Sequence, residues 1–276
     1  MQPKTIVITG SSDGIGAAAA RILKSHGHNV VIVGRNPEKT AKIAAELSAP
    51  FHTADFSRLA DVKRLAAELN EKYERIDVLC NNAGGMQKER SLTEDGIERT
   101  FQINVAAGFL LTTLLLEKLQ KSGATVVQTS SIASNLFGQK LDVNDLMNEK
   151  NYTPVKAYGD SKLCDVLFTR ELQKRCSGKI AAVAFEPGVV RSNFAADSVW
   201  YFKIAYHTPI KYLFTISTKK SAKRMVRLAE GVPGKDFTCG ETYSNGKRYR
   251  VKFRDGDGSA AKTLWETLEK LTEKYE

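Results

Sequence analysis

Tyr158 and Lys162 stand four positions apart, the separation that stacks two side chains on one face of a helix. A phenol can give a proton to an alkoxide or take one from an alcohol, but its ordinary pKa of about 10 is too high for that work near neutrality. A neighbouring ammonium stabilises the phenolate and pulls the value down. The pair therefore predicts proton transfer at an oxygen, with Tyr158 as general acid/base. The same spacing occurs three times in the chain. Tyr152–Lys156 encloses Pro154, which breaks the helix that the geometry needs. Tyr243–Lys247 encloses Asn245 and Gly246, a hairpin-turn signal. Only Tyr158–Lys162 opens an uninterrupted helical pattern.

A second chemical feature lies near the N-terminus. Thr9-Gly10-Ser11-Ser12-Asp13-Gly14-Ile15-Gly16 falls between an apolar run and an Ala-rich stretch. Glycines let the backbone turn sharply and approach a pyrophosphate, and the helix beyond offers unpaired N–H groups and partial positive charge. A dinucleotide-binding turn is the reading, and a plain tight turn the alternative. An acid about 20 residues on would hydrogen-bond the ribose 2′-hydroxyl of NAD. Val33-Gly34-Arg35-Asn36-Pro37 has none. Arg35 can instead pair with a 2′-phosphate, which predicts NADP(H). A solvent-facing loop arginine is the alternative.

These residues need elements to hold them. Thr5–Thr9, Asn29–Val33, Phe51–Ala54, Asp77–Cys80, Ala124–Thr129 and Ile180–Phe185 are short apolar runs. Helical patterns separate them: Gly14–His26, Pro37 to about Leu47 with Asn36 as N-cap, Arg58–Tyr73, and Tyr158–Arg175. A capping box at Ser91–Glu94 predicts one more, long helix reaching about Gln120. Strands that are apolar throughout and alternate with helices predict a parallel sheet covered on both faces. The fold class is α/β, a doubly wound parallel sheet of Rossmann type in a single domain over 1–276. Ligands should bind beyond the carboxyl ends of its strands. Within it, 1–125 is mainly the cofactor-binding half, 126–192 the catalytic half, 193–230 a substrate lid and 231–276 a C-terminal strand and helix.

The glycine spacing, Gly-x-x-x-Gly-x-Gly, resembles the opening of the short-chain dehydrogenases/reductases, and the resemblance runs over roughly residues 4–192. It implies NADP(H)-dependent interconversion of a carbonyl and an alcohol. Cofactor contacts are implied at Gly10, Ser12, Asp13, Gly14, Ile15 and Gly16, with Arg35 at the ribose. Asp55-Phe56 resembles the family's Asp–hydrophobe pair beside the adenine. Asn82-Ala83-Gly84 resembles its NAG loop. Pro187, Gly188, Val190 and Ser192 resemble the segment covering the nicotinamide carboxamide. Tyr158 and Lys162 would meet the cofactor as well, the lysine at the nicotinamide ribose. For catalysis, Ser131 matches the serine that contacts the substrate carbonyl, and only the resemblance separates it from Ser130. Asn104 matches an asparagine that helps hold a water leading to the lysine. A structural amide is its other reading, since a buried asparagine needs partners.

The long Ser131-to-Tyr158 interval and the run Tyr158–Leu172 resemble the retinol dehydrogenase-like branch. Cys164 also resembles a cysteine of protochlorophyllide reductases, which reduce a C=C bond. Those lack the serine kept here, so helix packing is the favoured role of Cys164. Phe194, Trp200, Tyr201, Phe202, Tyr206, Tyr212 and Phe214 would either wall an apolar substrate pocket or serve packing, subunit or membrane-surface contact. A non-catalytic NADP(H) sensor on the same fold is the competing function, although such proteins typically lose the tyrosine or lysine.

Net charge is +10. Lys219, Lys220, Lys223, Arg224 and Arg227 fall near helical spacing, and Lys247, Arg248, Arg250, Lys252 and Arg254 follow. A nucleic-acid or anionic-membrane patch is one reading. A solvated helix face is favoured, since no RNA-binding or helix-turn-helix signature accompanies the charge. The expected partner is a small carbonyl or alcohol, with no nucleic acid. Cysteines and histidines show neither CxxC pairs nor ligand clusters, which predicts no metal and a reducing, cytoplasmic setting. No apolar run of about 18 residues predicts a membrane span, and no signal peptide is recognisable. Family helices matching Thr100–Gln120 and Tyr158–Arg175 often pair subunits, implying a homodimer or homotetramer.

Overall fold

A computed structural model describes residues 2–190, 216–253, 255 and 258–275. Ser192, the aromatic run Phe194 to Phe214 and most of the predicted lid lie outside the described residues. The strands are β1 (Thr5–Thr9), β2 (Asn29–Gly34), β3 (Phe51–Thr53), β4 (Val78–Asn81), β5 (Thr125–Thr129), β6 (Ala181–Glu186), β7 (Thr242–Ser244) and β8 (Lys247–Arg248). They form one sheet in the order β3-β2-β1-β4-β5-β6-β7-β8, parallel except for β8. The order reverses between β1 and β4, and a crevice opens there at the carboxyl ends.

Ile6, Val7 and Ile8 of β1 and Val30, Val31 and Ile32 of β2 are all buried, as strands covered on both faces must be. On one face pack α1 (Gly14–Ser25), α2 (Pro37–Leu47) and α9 (Thr218–Glu230). On the other pack α3 (Leu59–Lys72), α5 (Ala107–Leu114), α8 (Pro154–Arg175) and α10 (Ala260–Thr272). This is the doubly wound sheet that the alternating pattern predicts.

The predicted helix from Ser91 to Gln120 is broken into pieces. Thr93 and Gly96 close a tight turn, with Gly96 N–H donating to the Thr93 carbonyl at 3.0 Å. The capping box is therefore spent on that turn. Glu98 is the true cap, its carboxylate accepting from Thr100 N–H at 2.9 Å and Phe101 N–H at 2.7 Å. From it run α4 (Arg99–Phe101), a π-helical turn over Gln102–Ala106, α5 and α6 (Leu116–Ser122), and the short α7 (Ala133–Leu136) follows β5. A 64° bend separates α6 from the rest. No single described helix is long and apolar enough to cross a membrane. The bent pair qualifies by composition, but its Phe109, Leu110, Leu111, Leu115 and Leu119 are buried in the protein core.

Both decoy pairs are separated as their turn residues require. Pro154 opens α8 instead of interrupting a helix, with Thr153 as N-cap, so the helix starts a turn earlier than predicted and Tyr152 lies before it. Asn245 (φ 48°) and Gly246 (φ 78°) make the hairpin turn between β7 and β8, where Tyr243 pairs with Arg248 and not with Lys247.

Candidate active site

After Thr9 the chain reverses into α1. Gly10 does this at φ +65°, and a Cβ there would lie 2.9 Å from the Ala83 Cα. At Gly16 a Cβ would stand 2.6 Å from the Gly10 carbonyl oxygen. Only hydrogen fits at either position. Thr9 Oγ1 ties the turn to the neighbouring strand end, accepting from Asn82 N–H at 2.9 Å and Ala83 N–H at 3.0 Å. The Asn82 amide donates to the Thr9 carbonyl at 2.9 Å. Asp13 is the N-cap of α1, its carboxylate accepting from Gly14 N–H.

Beyond this turn lies a cavity of about 720 Å³, bordered by Gly10, Ser12, Arg35, Asp55, Phe56, Ala83 and Gly84. Arg35 is exposed and makes no ion pair among the described residues. Asp55 faces the cavity, yet its carboxylate also accepts from the Ser57 N–H at 2.9 Å and the Ser57 hydroxyl at 2.8 Å. It fixes that turn, while the start of α3 is capped from a distance by Asp95, which accepts from Leu59 N–H at 2.9 Å. Arg99 borders the same cavity.

Gly84 and Met86 border a second cavity as well, of about 280 Å³ and mostly apolar. Asn82, Ile15, Ser131, Tyr158, Lys162, Pro187, Gly188 and Val190 reach it. Its outer wall is Ile132, Leu136, Phe137 and Val189, four large apolar side chains left exposed. One polar compartment edged by a glycine turn and an arginine thus adjoins one apolar compartment edged by a tyrosine, with Gly84 and Met86 between them. That shape and donor set fit a nicotinamide dinucleotide.

Within the apolar compartment, Tyr158 is half-buried and hydrogen-bonded to the Ser131 side chain. Lys162 Nζ lies 5.8 Å from the centre of the Tyr158 ring. Nζ donates to the Thr129 carbonyl at 3.0 Å and to Asp165 Oδ2 at 2.9 Å. Ser130 turns inward and donates to the Lys162 carbonyl at 2.7 Å. The geometry thereby separates the two serines: both border the cavity, but the Ser131 side chain meets the tyrosine while the Ser130 hydroxyl is spent on the α8 backbone.

Asn104 sits in the π-helical turn, where one extra residue per turn swings its side chain out of helical register. Its Oδ1 accepts from Gly85 N–H at 2.7 Å, and its amide donates to the Gly85 carbonyl at 2.9 Å and to Ser161 Oγ at 2.8 Å. Ser161 in turn donates to the Tyr158 carbonyl at 2.8 Å. Asn104 therefore buckles the Gly84–Gly85 loop to α8. A Cβ on Gly84 would fall 3.0 Å from Asn104 Oδ1 and 3.4 Å from Lys162 Nζ, so the loop passes directly over the lysine.

Electrostatically, burial is the leading influence on every member. It raises the Tyr158 phenol; Lys162 and the Ser131 hydrogen bond pull it down, Asp165 pushes it up, and the net direction is upward. The lowering expected from the Tyr–Lys pair is thus present but outweighed. Burial works against the Lys162 ammonium, but Asp165 and Tyr158 hold it above the ordinary lysine value. Burial also lifts Asp165, against Lys162 and Gln128.

A family model for the short chain dehydrogenases matches residues 4–199. The chain is a short-chain dehydrogenase/reductase. It is 36% identical over 272 residues to a Streptomyces sp. (strain C5) protein carrying the provisional name daunorubicin C-13 ketoreductase DnrU, covering 95% of this chain and 90% of that one. To retinol dehydrogenase 12 of Mus musculus it is 36% identical over 273 residues, 95% of this chain and 84% of the relative. Among solved structures, the Pseudomonas aeruginosa RhlG/NADP active-site complex superposes with a TM-score of 0.70 at 26% identity, over 88% of this chain and 96% of that one. These relatives put it in the retinol dehydrogenase-like branch of the family.

For this short-chain dehydrogenase/reductase, the residues singled out from sequence converge on one cleft, apart from Ser192. Gly16 and Asn104 support the cleft from behind, Asp13 is exposed and caps α1, and none of these three nor Gly14 borders either cavity. Sequence reasoning passed over Asp165, Gln128 and the apolar wall of Ile132, Leu136 and Phe137. Asp165 did carry a signal, being three positions after Lys162 and so on the same helix face. Cys164 is wholly buried in the core between α8 and its neighbours, the packing role expected of it. Of the basic helix residues, Lys219, Lys220, Lys223 and Arg227 are exposed on α9. Arg224 instead turns inward to Glu186 at 2.6 Å.

Proposed function

We propose that the enzyme interconverts a carbonyl and an alcohol on an apolar small molecule, using NADP(H). The observation that carries the proposal is the Tyr158 hydroxyl, bonded to Ser131 and bordering an apolar cavity that shares Gly84 and Met86 with the glycine-turn cavity. Bound nicotinamide would supply or accept the hydride. In the reductive direction Tyr158 gives its proton to the developing alkoxide, and in the oxidative direction it takes one from the alcohol. Ser131 donates to the same oxygen and fixes its distance from the phenol. Lys162 holds positive charge beside Tyr158. Asn104 keeps the Gly84–Gly85 loop over the lysine, which bars that side to bulk water. Arg35, exposed at the polar end and without an ion pair among the described residues, would meet a 2′-phosphate.

The upward shift of Tyr158 favours its protonated form across the neutral range, which suits it to act as the acid in carbonyl reduction. The four exposed apolar side chains at the cavity mouth support an apolar substrate. The test is a panel of carbonyls followed by NADPH oxidation and repeated with NADH. Faster turnover of bulky aliphatic or aromatic carbonyls with NADPH is expected. Better turnover of small polar carbonyls, or a preference for NADH, would overturn the corresponding part.

A further inference from the structure

Three positions below Lys162 on α8, Asp165 is wholly buried, and nothing in the proposed proton transfer uses it. Its two oxygens are both occupied by N–H donors: Oδ2 by Lys162 Nζ at 2.9 Å and Oδ1 by the Gln128 amide at 2.8 Å. A protonated carboxyl would have to donate from one of them, so the geometry fits the carboxylate. An ammonium has three N–H groups. Lys162 spends one on Asp165 and one on the Thr129 carbonyl, leaving one for the cleft.

We propose that Asp165 is a positioning residue that makes Lys162 one half of a buried ion pair, so that the lysine brings an oriented dipole, and not a free positive charge, to Tyr158. The inference rests on the reading of Tyr158 as acid/base and goes on to say what sets the pH at which it ionises. Tyr158, Lys162 and Asp165 lie at successive turns of one helix face, their backbones spread over about 10 Å of the axis, and the ammonium lies 5.8 Å from the phenol ring centre and 2.9 Å from the carboxylate. The ammonium still favours the phenolate, but the carboxylate behind it cancels part of that preference. Tyr158 then keeps its proton to higher pH than a lone lysine would allow.

Among the described residues, no other charge acts on Tyr158, Lys162 or Asp165. β5 contributes only Gln128 and the Thr129 carbonyl, the following loop Ser130 and Ser131, and the π-helical turn Asn104. Charged groups on α8 and the elements packed against it are turned elsewhere. Asp160 pairs with Lys156, Glu171 with Arg175, Glu186 with Arg224, and Glu98 caps α4. The Cys164 thiol is held neutral by burial.

Asp165→Asn removes the charge at constant shape, and the site can absorb it. Gln128 Oε1 is buried with no partner, so turning that amide over offers an acceptor to the new N–H₂ group while the asparagine oxygen keeps Lys162. Two profiles are read in wild type and in Asp165→Asn: the pH dependence of kcat/KM for NADPH-driven reduction, and tyrosinate absorbance from which the same titration of Tyr158→Phe is subtracted. The alkaline loss of activity and the Tyr158 titration should both move down by about one pH unit, the size expected for a nearby charge. Asp165→Ser, which leaves room for water, should move them the same way and stands in if the asparagine variant fails to fold. Unmoved profiles in a folded variant, with only kcat or melting temperature reduced, would overturn the proposal. If Tyr158→Phe is itself fully active, the functional reading fails; if it is inactive and the Asp165→Asn profile is that of wild type, only the role of Asp165 fails.

Discussion

The two ends of the cleft are built from different materials. At the glycine turn the surface offered to a ligand is largely backbone, and the decisive residues matter for what they lack: Gly10 and Gly16 have no Cβ to collide with Ala83 and Gly10. At Tyr158 the surface is made of side chains, each held by another: Ser131 by the tyrosine, Lys162 by Thr129 and Asp165, Asn104 by Gly85 and Ser161. The first end can be damaged by adding an atom, the second by removing one. Binding and chemistry should therefore fail separately.

The largest separation is expected from Lys162→Met. It removes the cation beside the phenol and strands the buried Asp165 carboxylate. Turnover should fall by about 10²–10⁴-fold, the range for loss of acid/base assistance, and the fold should lose about 3–5 kcal/mol, as when a buried pair loses one partner. Thermal melting alongside steady-state kinetics reads both, and an unchanged melting temperature would show that the pair is not the buried ion pair described. Next comes Gly16→Ala, whose new Cβ must displace the Gly10 carbonyl. The NADPH Kd by fluorescence titration should rise more than about tenfold, the effect of roughly 1.4 kcal/mol. Turnover at saturating NADPH should change far less. A selective fall in kcat would blur the proposed division between the ends.

Arg35→Ala should weaken NADPH by about ten- to a hundredfold, as for loss of a charge-assisted hydrogen bond, and leave NADH nearly unaffected. Equal loss for both cofactors would remove the 2′-phosphate contact. The smallest effect is expected at the mouth of the apolar cavity. Leu136→Ser should raise KM for bulky apolar carbonyls by about tenfold or less, the worth of burying part of one aliphatic side chain. Small carbonyls should be turned over as before.

The same contrast explains what could be read in the sequence. The sheet and its helices were legible because each strand is a buried apolar run and each turn carries its own chemistry, as at Asn36-Pro37 and Asn245-Gly246. The glycine turn was legible for the same local reason. The segment from Ser91 to Gln120 reads as one helix because a capping box and a tight turn use the same residue types, and the true cap, Glu98, is recognisable only once Thr100 and Phe101 have presented their N–H groups. Likewise Ser130 and Ser131 are equivalent as letters. The strand end points one at the α8 backbone and the other at Tyr158, a distinction that needs the pleat and the partner helix. Asp165 was hidden by its surroundings, since an aspartate in a helix reads as solvent-facing until Gln128 is seen across from it.

The central claim is that the Tyr158 hydroxyl carries the proton. Tyr158→Phe removes that oxygen alone and leaves the ring in its place against Lys162. With the best carbonyl of the panel and saturating NADPH, single-turnover NADPH oxidation should slow by about 10²–10⁴-fold, while NADPH binding and melting temperature stay at wild-type values. NADPH oxidation at the wild-type rate in that variant would contradict the account.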